Sequence, residues 1–271
     1  MSRVASIVLI FCAVVPAHLS AQYAGSPSDT LRYSELTNGN VEMVMPNGTV
    51  TVRSVHDAVL AVTFPSQGRA HAWYEALVVE SAGPMGRAKP STTSLLNQPF
   101  EFDFAPTGHI AGLKAPTMPP EIAAITDLTR QFDDFFITVP SSGLSVGTAW
   151  ADTVVKSKAA RDTDKTFSRH IRSYVVERDT SVAGVRAFLI QVSQMVEINT
   201  SSEMPEANMS VSAKLTGTDQ GWALFAPSLG RLLERQRSGS LKGEMHMQPA
   251  GMAPVAIPQS YTYESRIRLR G

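Results

Sequence analysis

From Asp29 onward, apolar and polar side chains take turns through one segment after another of this chain. Successive side chains of an extended strand point to opposite faces, so this alternation marks sheet with one buried and one wet face. Val41, Met43 and Met45 form such a run around Glu42, and Val50 and Val52 form the return run between Thr49, Thr51 and Arg53. Asn47-Gly48, lying between them, is predicted to supply the two positive-φ residues of a tight hairpin. Further strands are predicted over 57–64, 70–80, 99–104, 149–156, 166–177, 185–198, 208–216, 239–248 and 261–269. In the strand at 99–104, Phe100, Phe102 and Phe104 share one face; Pro106-Thr107-Gly108 then turns the chain toward a return strand ending at Leu113.

One segment departs from this period. Ile122, Ile125, Leu128, Phe132 and Phe135 recur every three or four residues after Pro119-Pro120-Glu121, and Pro140 closes the region. Prolines cost no hydrogen bond in a first turn and Glu121 suits the positive end, so the spacing predicts one helix of roughly four turns. Loops are expected over 81–98, 114–119, 199–207 and 249–260, none with the look of a domain linker. The expected fold is mainly β: a curved antiparallel sheet, half-barrel or open barrel, of about eleven strands with one long helix packed on it.

The amino-terminal residues have a separate use. Arg3 precedes an apolar run from Val4 to Val15, followed by Pro16 and the small residues Ser20 and Ala21. About a dozen apolar residues are too few to span a bilayer, and the layout is that of a secretory signal. Cleavage after Ala21 is expected to leave residues 22–271 as a single β-rich domain, exported to the periplasm or beyond, with no transmembrane segment. The only cysteine, Cys12, leaves with the signal, so disulfides, cysteine metal sites and a cysteine nucleophile are all excluded from the mature chain.

The full chain has 24 basic and 24 acidic residues; loss of Arg3 leaves one net negative charge. Such a surface lacks the field that draws nucleic acid. The basic stretch Lys165, Arg169, His170, Arg172 and Arg178 is countered by Asp162, Asp164, Glu177 and Asp179, and reads as a solvated strand. Asp133-Asp134 reads as a solvent-facing pair.

Chemical motifs are sparse. Gly143-Leu144-Ser145-Val146-Gly147 fits the spacing of a hydrolase nucleophile elbow, but a helix is predicted before it and a strand after it, the reverse of the required order. A turn is the better account, and a serine hydrolase using Ser145 the remote one. Glu244 and His246 share a strand face, but no third ligand stands at metal-binding spacing, and no cofactor motif is present. Phe104-Ala105-Pro106-Thr107-Gly108 is echoed by Phe225-Ala226-Pro227-Ser228-Leu229-Gly230, compatible with a duplicated half or with ordinary turn chemistry.

Methionine carries the sharper suggestion. Met43, Met45, Met195, Met209, Met245 and Met247 fall in predicted strands. Thioether side chains reshape at little cost, so Met195, Met209, Met245 and Met247, with Phe100, Phe102, Phe104 and Phe132, are the candidate lining of a site for an acyl chain or other apolar ligand. Ordinary core filling is the competing account.

The order of features, with Leu144-Ser145-Val146-Gly147-Thr148-Ala149-Trp150 entering a strand and the turn Ala105-Pro106-Thr107-Gly108, resembles secreted bacterial β-rich proteins of unknown function. The architecture is similar to the half-barrels of periplasmic lipoprotein and lipid carriers, which implies binding of acyl chains. The sequence therefore points to a non-catalytic envelope protein that binds a lipid or similar apolar molecule, or else to an assembly partner acting on another envelope protein through an exposed strand edge.

Overall fold

The computed structural model describes residues 22–25, 28–161, 164–204 and 208–270. The predicted signal, with Cys12 and the cleavage position at Ala21, lies outside the described residues. The alternating segments form one sheet of twelve strands, β1 (Thr30–Met45), β2 (Gly48–Ser66), β3 (Arg69–Gly83), β4 (Gly86–Ala88), β5 (Phe100–Phe104), β6 (Ile110–Lys114), β7 (Ala149–Arg161), β8 (Asp164–Val182), β9 (Val185–Met204), β10 (Met209–Ala226), β11 (Arg231–Pro249) and β12 (Val255–Leu269). Their order is β6-β5-β3-β2-β1-β12-β11-β10-β9-β8-β7, with β4 on the side of β3, and neighbouring strands pair antiparallel.

This order has a consequence for the rest of the chain. The first and last strands pair at the centre, Tyr33 opposite Leu269 and Met43 opposite Gln259, so β6 and β7 are the two free ends of an unclosed sheet. Residues 115–148 connect those two ends and must cross from one to the other. They do so on the inner face, where their aromatic side chains plug the curl of the sheet.

The plug is not the predicted long helix. It holds two single turns, α1 (Pro120–Ala123) and α2 (Leu128–Gln131). Asp127 explains the break: its backbone is extended at φ −99° and ψ 94°, and its carboxylate accepts a hydrogen bond from the Thr129 amide at 3.0 Å. An aspartate that caps a new helix cannot also continue the old one. The apolar stripe is nevertheless used, because Ile122, Leu128, Phe132 and Phe135 are all buried.

Around Phe132 the core is aromatic. Its ring lies 4.9 Å from Phe100 and 5.4 Å from Phe102, Phe136 lies 4.9 Å from Phe104, and Phe135 meets Tyr33 edge-on at 5.3 Å. Such tilted and edge-to-face pairs add to what burial of the rings contributes.

Local readings are corrected in five places. The first hairpin turns through Pro46-Asn47, with Met45 opposite Gly48, and of the predicted pair only Gly48 has positive φ. The region 81–98 is not all loop, since β3 runs to Gly83 and pairs there with β4. Nor are 199–204, which continues β9, and 255–260, which opens β12. Arg172 and His170 are not solvated: both take the inner-face phase of β8, opposite Gln194 and Val196, and Arg172 is buried.

Candidate functional site

The strands are longer than one plug can cover. β9 has 20 residues against the usual three to ten, which is roughly 65 Å of chain at about 3.3 Å per residue. The inner face therefore divides into a filled half, a polar belt and an unfilled half.

The belt lies where the plug ends. Adjacent plug residues reach different strands: Asp133 bonds Lys156 of β7, and Asp134 bonds Arg237 of β11. Arg237 also donates to Asp219 of β10 at 3.3 Å, and Asp219 accepts the hydroxyl of Tyr263 from β12. The reading of Asp133-Asp134 as solvent-facing is thus wrong. Burial raises the Asp134 pKa, but Arg237 and Arg235 outweigh it and hold the carboxyl at about 2. For Asp133 burial prevails over Lys156, and its carboxyl sits above the ordinary value. Burial together with Arg237 lowers Arg235 to about 10.

Toward β2 the belt continues through glutamine and histidine. The Tyr74 hydroxyl donates to Gln131 Oε1 at 2.7 Å, which turns Gln131 Nε2 toward His56 Nδ1 at 3.0 Å. A neutral His56 then carries its proton on Nε2, which faces Glu35 at 3.5 Å. The other side repeats the device: Gln194 Nε2 stands 2.9 Å from His170 Nδ1, beside Arg172, which grips Asp152 with two bonds of 2.7 Å. Asp134, Arg172, Gln194, Arg235 and Arg237 line a cavity of about 10 Å³, room for about one water. The belt anchors the plug by its polar end.

Beyond the belt the inner face is apolar again, and its side chains lie outside the core that the plug fills. Pairing places Val41 and Met43 of β1 opposite Val52 and Val50 of β2, Leu241 opposite Tyr261 and Met245 opposite Ile257, and Leu215 opposite Ile198. Leu241 and Ile257 are buried, the others only half-buried, and none belongs to the contiguous core around Phe132. At the inner end the Tyr261 and Tyr263 rings stack at 5.4 Å. A Cβ on Gly239 would come within 2.6 Å of the Tyr263 ring, so that ring rests on bare backbone and keeps the floor flat. From Leu241 to Pro249 the trough runs roughly 26 Å along β11.

The opposite face of the same strands carries Lys214, Thr216, Lys242, Glu244, Thr262 and Glu264. Apolar inside and charged outside is the reverse of a membrane-spanning barrel, whose outer band meets lipid. No helix among the described residues is long and apolar enough to cross a membrane.

The structure separates the residues singled out from the sequence. Phe100, Phe102, Phe104 and Phe132 lie together in the filled half, fully packed. Met209, Met245 and Met247 lie on the inner face of the unfilled half, with Met43 and Met45. Met195 is on the outer face, 61% exposed, opposite Ile171 and Thr218. Ser145 contacts Thr148, its Oγ 3.0 Å from Thr148 Oγ1, within a turn whose Gly143 and Gly147 have positive φ. Glu244 and His246 face solvent 3.6 Å apart, and no group of three metal-ligating side chains occurs among the described residues.

The belt was missed, although it left a signal. Glu35, Arg235, Arg237 and Asp219 occupy the same phase as the buried positions of their strands. A charge recurring in the buried phase marks a polar group that folding must satisfy internally.

No family model matches the chain, and no curated protein matches it in sequence. Among solved structures, one described as lipid-protein interactions in lipovitellin superposes on 92% of this chain at 11% identity with a TM-score of 0.54. The chain is similar in fold to lipovitellin's β-sheet. It spans about a quarter of that chain's length, 26%. The translocator domain of the autotransporter NalP from Neisseria meningitidis aligns over 92% of this chain and 90% of its own at 8% identity, TM-score 0.20. Pseudomonas aeruginosa OccK11 aligns over 94% and 100% at 7% identity, TM-score 0.19.

Proposed function

We propose that this protein is an exported, non-catalytic carrier that holds an acyl chain or similar apolar ligand in the unfilled half of its sheet. The observation that carries the reading is the trough itself: Val41, Met43, Val52, Leu215, Ile198 and Met245 form an apolar floor that is half-buried and stands outside the core the plug fills. An apolar surface of that length, only half-buried by its neighbours, marks a place where something apolar binds. At roughly 26 Å it exceeds the depth of one bilayer leaflet, about 15 Å or half of a hydrocarbon core of about 30 Å, so an extended acyl chain fits along the strands. Met209, Met245 and Met247 supply a lining that adjusts to chain length and unsaturation. The fold shared with lipovitellin, whose structure is described by its lipid–protein interactions, supports this use of the sheet.

The test is gentle purification from the envelope followed by native mass spectrometry. A retained lipid-sized adduct that fluorescent fatty acids displace is the expected outcome. Protein that emerges with no adduct and ignores the fluorescent acids overturns the reading.

A second reading rests on β7, one of the two free ends of the sheet, whose Val155 is 57% exposed. An open strand of this kind adds a partner's strand. Crosslinking through β7 to one envelope protein, without ligand in the trough, would favour that role.

A further inference from the structure

Three of the hairpins at the unfilled end, β1–β2, β3–β4 and β11–β12, share a chemistry that the trough does not require. β1–β2, β3–β4, β9–β10 and β11–β12 all turn at that end, as the antiparallel pairing dictates, and so does β7–β8; the sequence is charged at Glu203 and Glu206 around the β9–β10 turn and at Lys158, Arg161 and Asp162 around the β7–β8 turn. Their tips and flanks hold Val44, Met85, Met204, Met252 and Val255, all among the exposed large apolar residues of the protein. Met85 is fully exposed and Met252 is 65% exposed. The stretches 44–50, 83–86 and 247–256 contain no Asp, Glu, Lys or Arg, and His246 and Arg87 stand only just outside them. Charged side chains instead populate the outer faces of the same strands, at Lys214, Lys242 and Glu264.

From this we infer that the mouth of the trough docks on a lipid bilayer, the methionine-bearing tips entering the interface end-on. A water-facing hairpin ordinarily carries polar turn residues, and several that present uncharged thioether and valine side chains at one end form an apolar rim. The rim is continuous with the trough through Met45, Met247 and Met209, whose inner-face positions lead from the tips toward the floor. Shallow insertion of apolar side chains needs no spanning segment, and the charged outer face stops deeper entry. With no formal charge on three of the tips, the attraction is apolar, and neutral lipid suffices. The inference deepens the carrier reading, because a mouth held at a membrane lets an acyl chain pass between bilayer and trough without crossing water.

Flotation with phosphatidylcholine vesicles tests it. The protein is expected to float with the vesicles and to do so equally at about 0.5 M salt, where the screening length is only a few ångströms. Met85→Asp combined with Met252→Asp should lower the bound fraction about tenfold or more, since two apolar anchors become charges. Met195→Asp, on the outer face at an exposure close to that of Met252, should float like the parent. Leu215→Glu, inside the trough, should lose the ligand while still floating, which separates failure of the carrier reading from failure of this one. Parent protein that stays at the bottom of the gradient, flotation abolished by salt, or equal loss in Met195→Asp would overturn membrane docking. So would a parent that self-associates in solution through these tips, shown by a dimer that the double variant dissociates. Both tip positions are solvent-exposed, and Met85→Ser with Met252→Ser provides a milder pair should the aspartates impair folding.

Discussion

Asp133 and Asp134, neighbours in sequence, are bound to different strands: Asp133 to Lys156 on β7 near one free end of the sheet, and Asp134 to Arg237 on β11 near its middle. One peptide unit of the plug thereby ties together parts of the sheet that no ladder hydrogen bond joins.

Their environments predict unequal responses to neutralisation. Asp134→Asn strands Arg237 and Arg235 beside a neutral group and should cost about 3–5 kcal/mol, the usual penalty for breaking a buried pair. Asp133→Asn removes a carboxylate whose charge burial already disfavours, and should change stability by less than about 1 kcal/mol. Urea denaturation of the two variants at neutral pH measures the difference, and equal losses would contradict this division of labour.

Acid provides a second test of the same pair. The folded-state pKa of Asp134 is depressed to about 2 from an ordinary 3.8, so its contribution is present above pH 4 and lost as pH falls toward 2. Roughly 2 to 3 kcal/mol is at stake, from about 1.4 kcal/mol per pKa unit. Denaturation midpoints between pH 5 and 2 should therefore fall more steeply in the parent than in Asp134→Asn, whose neutral amide cannot titrate; parallel curves would refute the assignment.

The amino-terminal residues 22–25 make the other long-range tie. Tyr23 donates its hydroxyl to the Ile137 carbonyl at 3.0 Å, its amide bonds Pro106 O at 2.7 Å, and the Ala24 amide bonds Gly230 O at 3.0 Å. The two turns that echo each other in sequence thus flank one short segment, and the Tyr23 ring meets Phe104 and Phe225 edge-on at 5.2 and 5.1 Å. Tyr23→Phe should cost about 1–3 kcal/mol by leaving a buried carbonyl unpaired, and Tyr23→Ala about 3–5 kcal/mol. Gly230→Ala should also destabilise: φ is +59°, and a Cβ would stand 2.3 Å from the Ala24 amide nitrogen. Thermal unfolding of the three variants ranks them.

Period-two burial was legible residue by residue. The final strand shows it best: Tyr261, Tyr263, Ile267 and Leu269 all take the inner phase on opposite pairs with β1, as alternation alone predicts. Pairing order was not legible, because which strand lies beside β1 depends on β12, more than 200 residues away. The plug escaped for a related reason. Ile122, Leu128, Phe132 and Phe135 have helical spacing and are buried, but Asp127 prefers to cap, and the polar ends of Gln131, Asp133 and Asp134 are drawn to partners on β2, β7 and β11. Tertiary demand overrode a local period. The candidate site was legible in part: the methionines were seen, but faces were not. Met195 differs from Met245 only in the phase of its strand, and that phase becomes known once Val196 is placed opposite Gly217 on the inner face.

The two halves of the inner face should separate under mutation. Phe132→Ala opens a hole among Phe100, Phe102 and Phe135 and should cost about 3–5 kcal/mol. Leu215→Glu places a charge on a half-buried position outside the aromatic core, and should cost no more than about 1–2 kcal/mol. Ligand inverts the ranking. A ligand bound only by the folded protein stabilises it by about 2.7 kcal/mol at a hundredfold excess over Kd. Added fatty acid should therefore raise the melting temperature of the parent, and of Phe132→Ala from its lower starting point, while Leu215→Glu stays unmoved. A shift in Leu215→Glu as large as the parent's would place the ligand somewhere other than the trough. A shift lost in Phe132→Ala at temperatures where that variant is still folded would move the binding site into the aromatic half, among Phe100, Phe102 and Phe104.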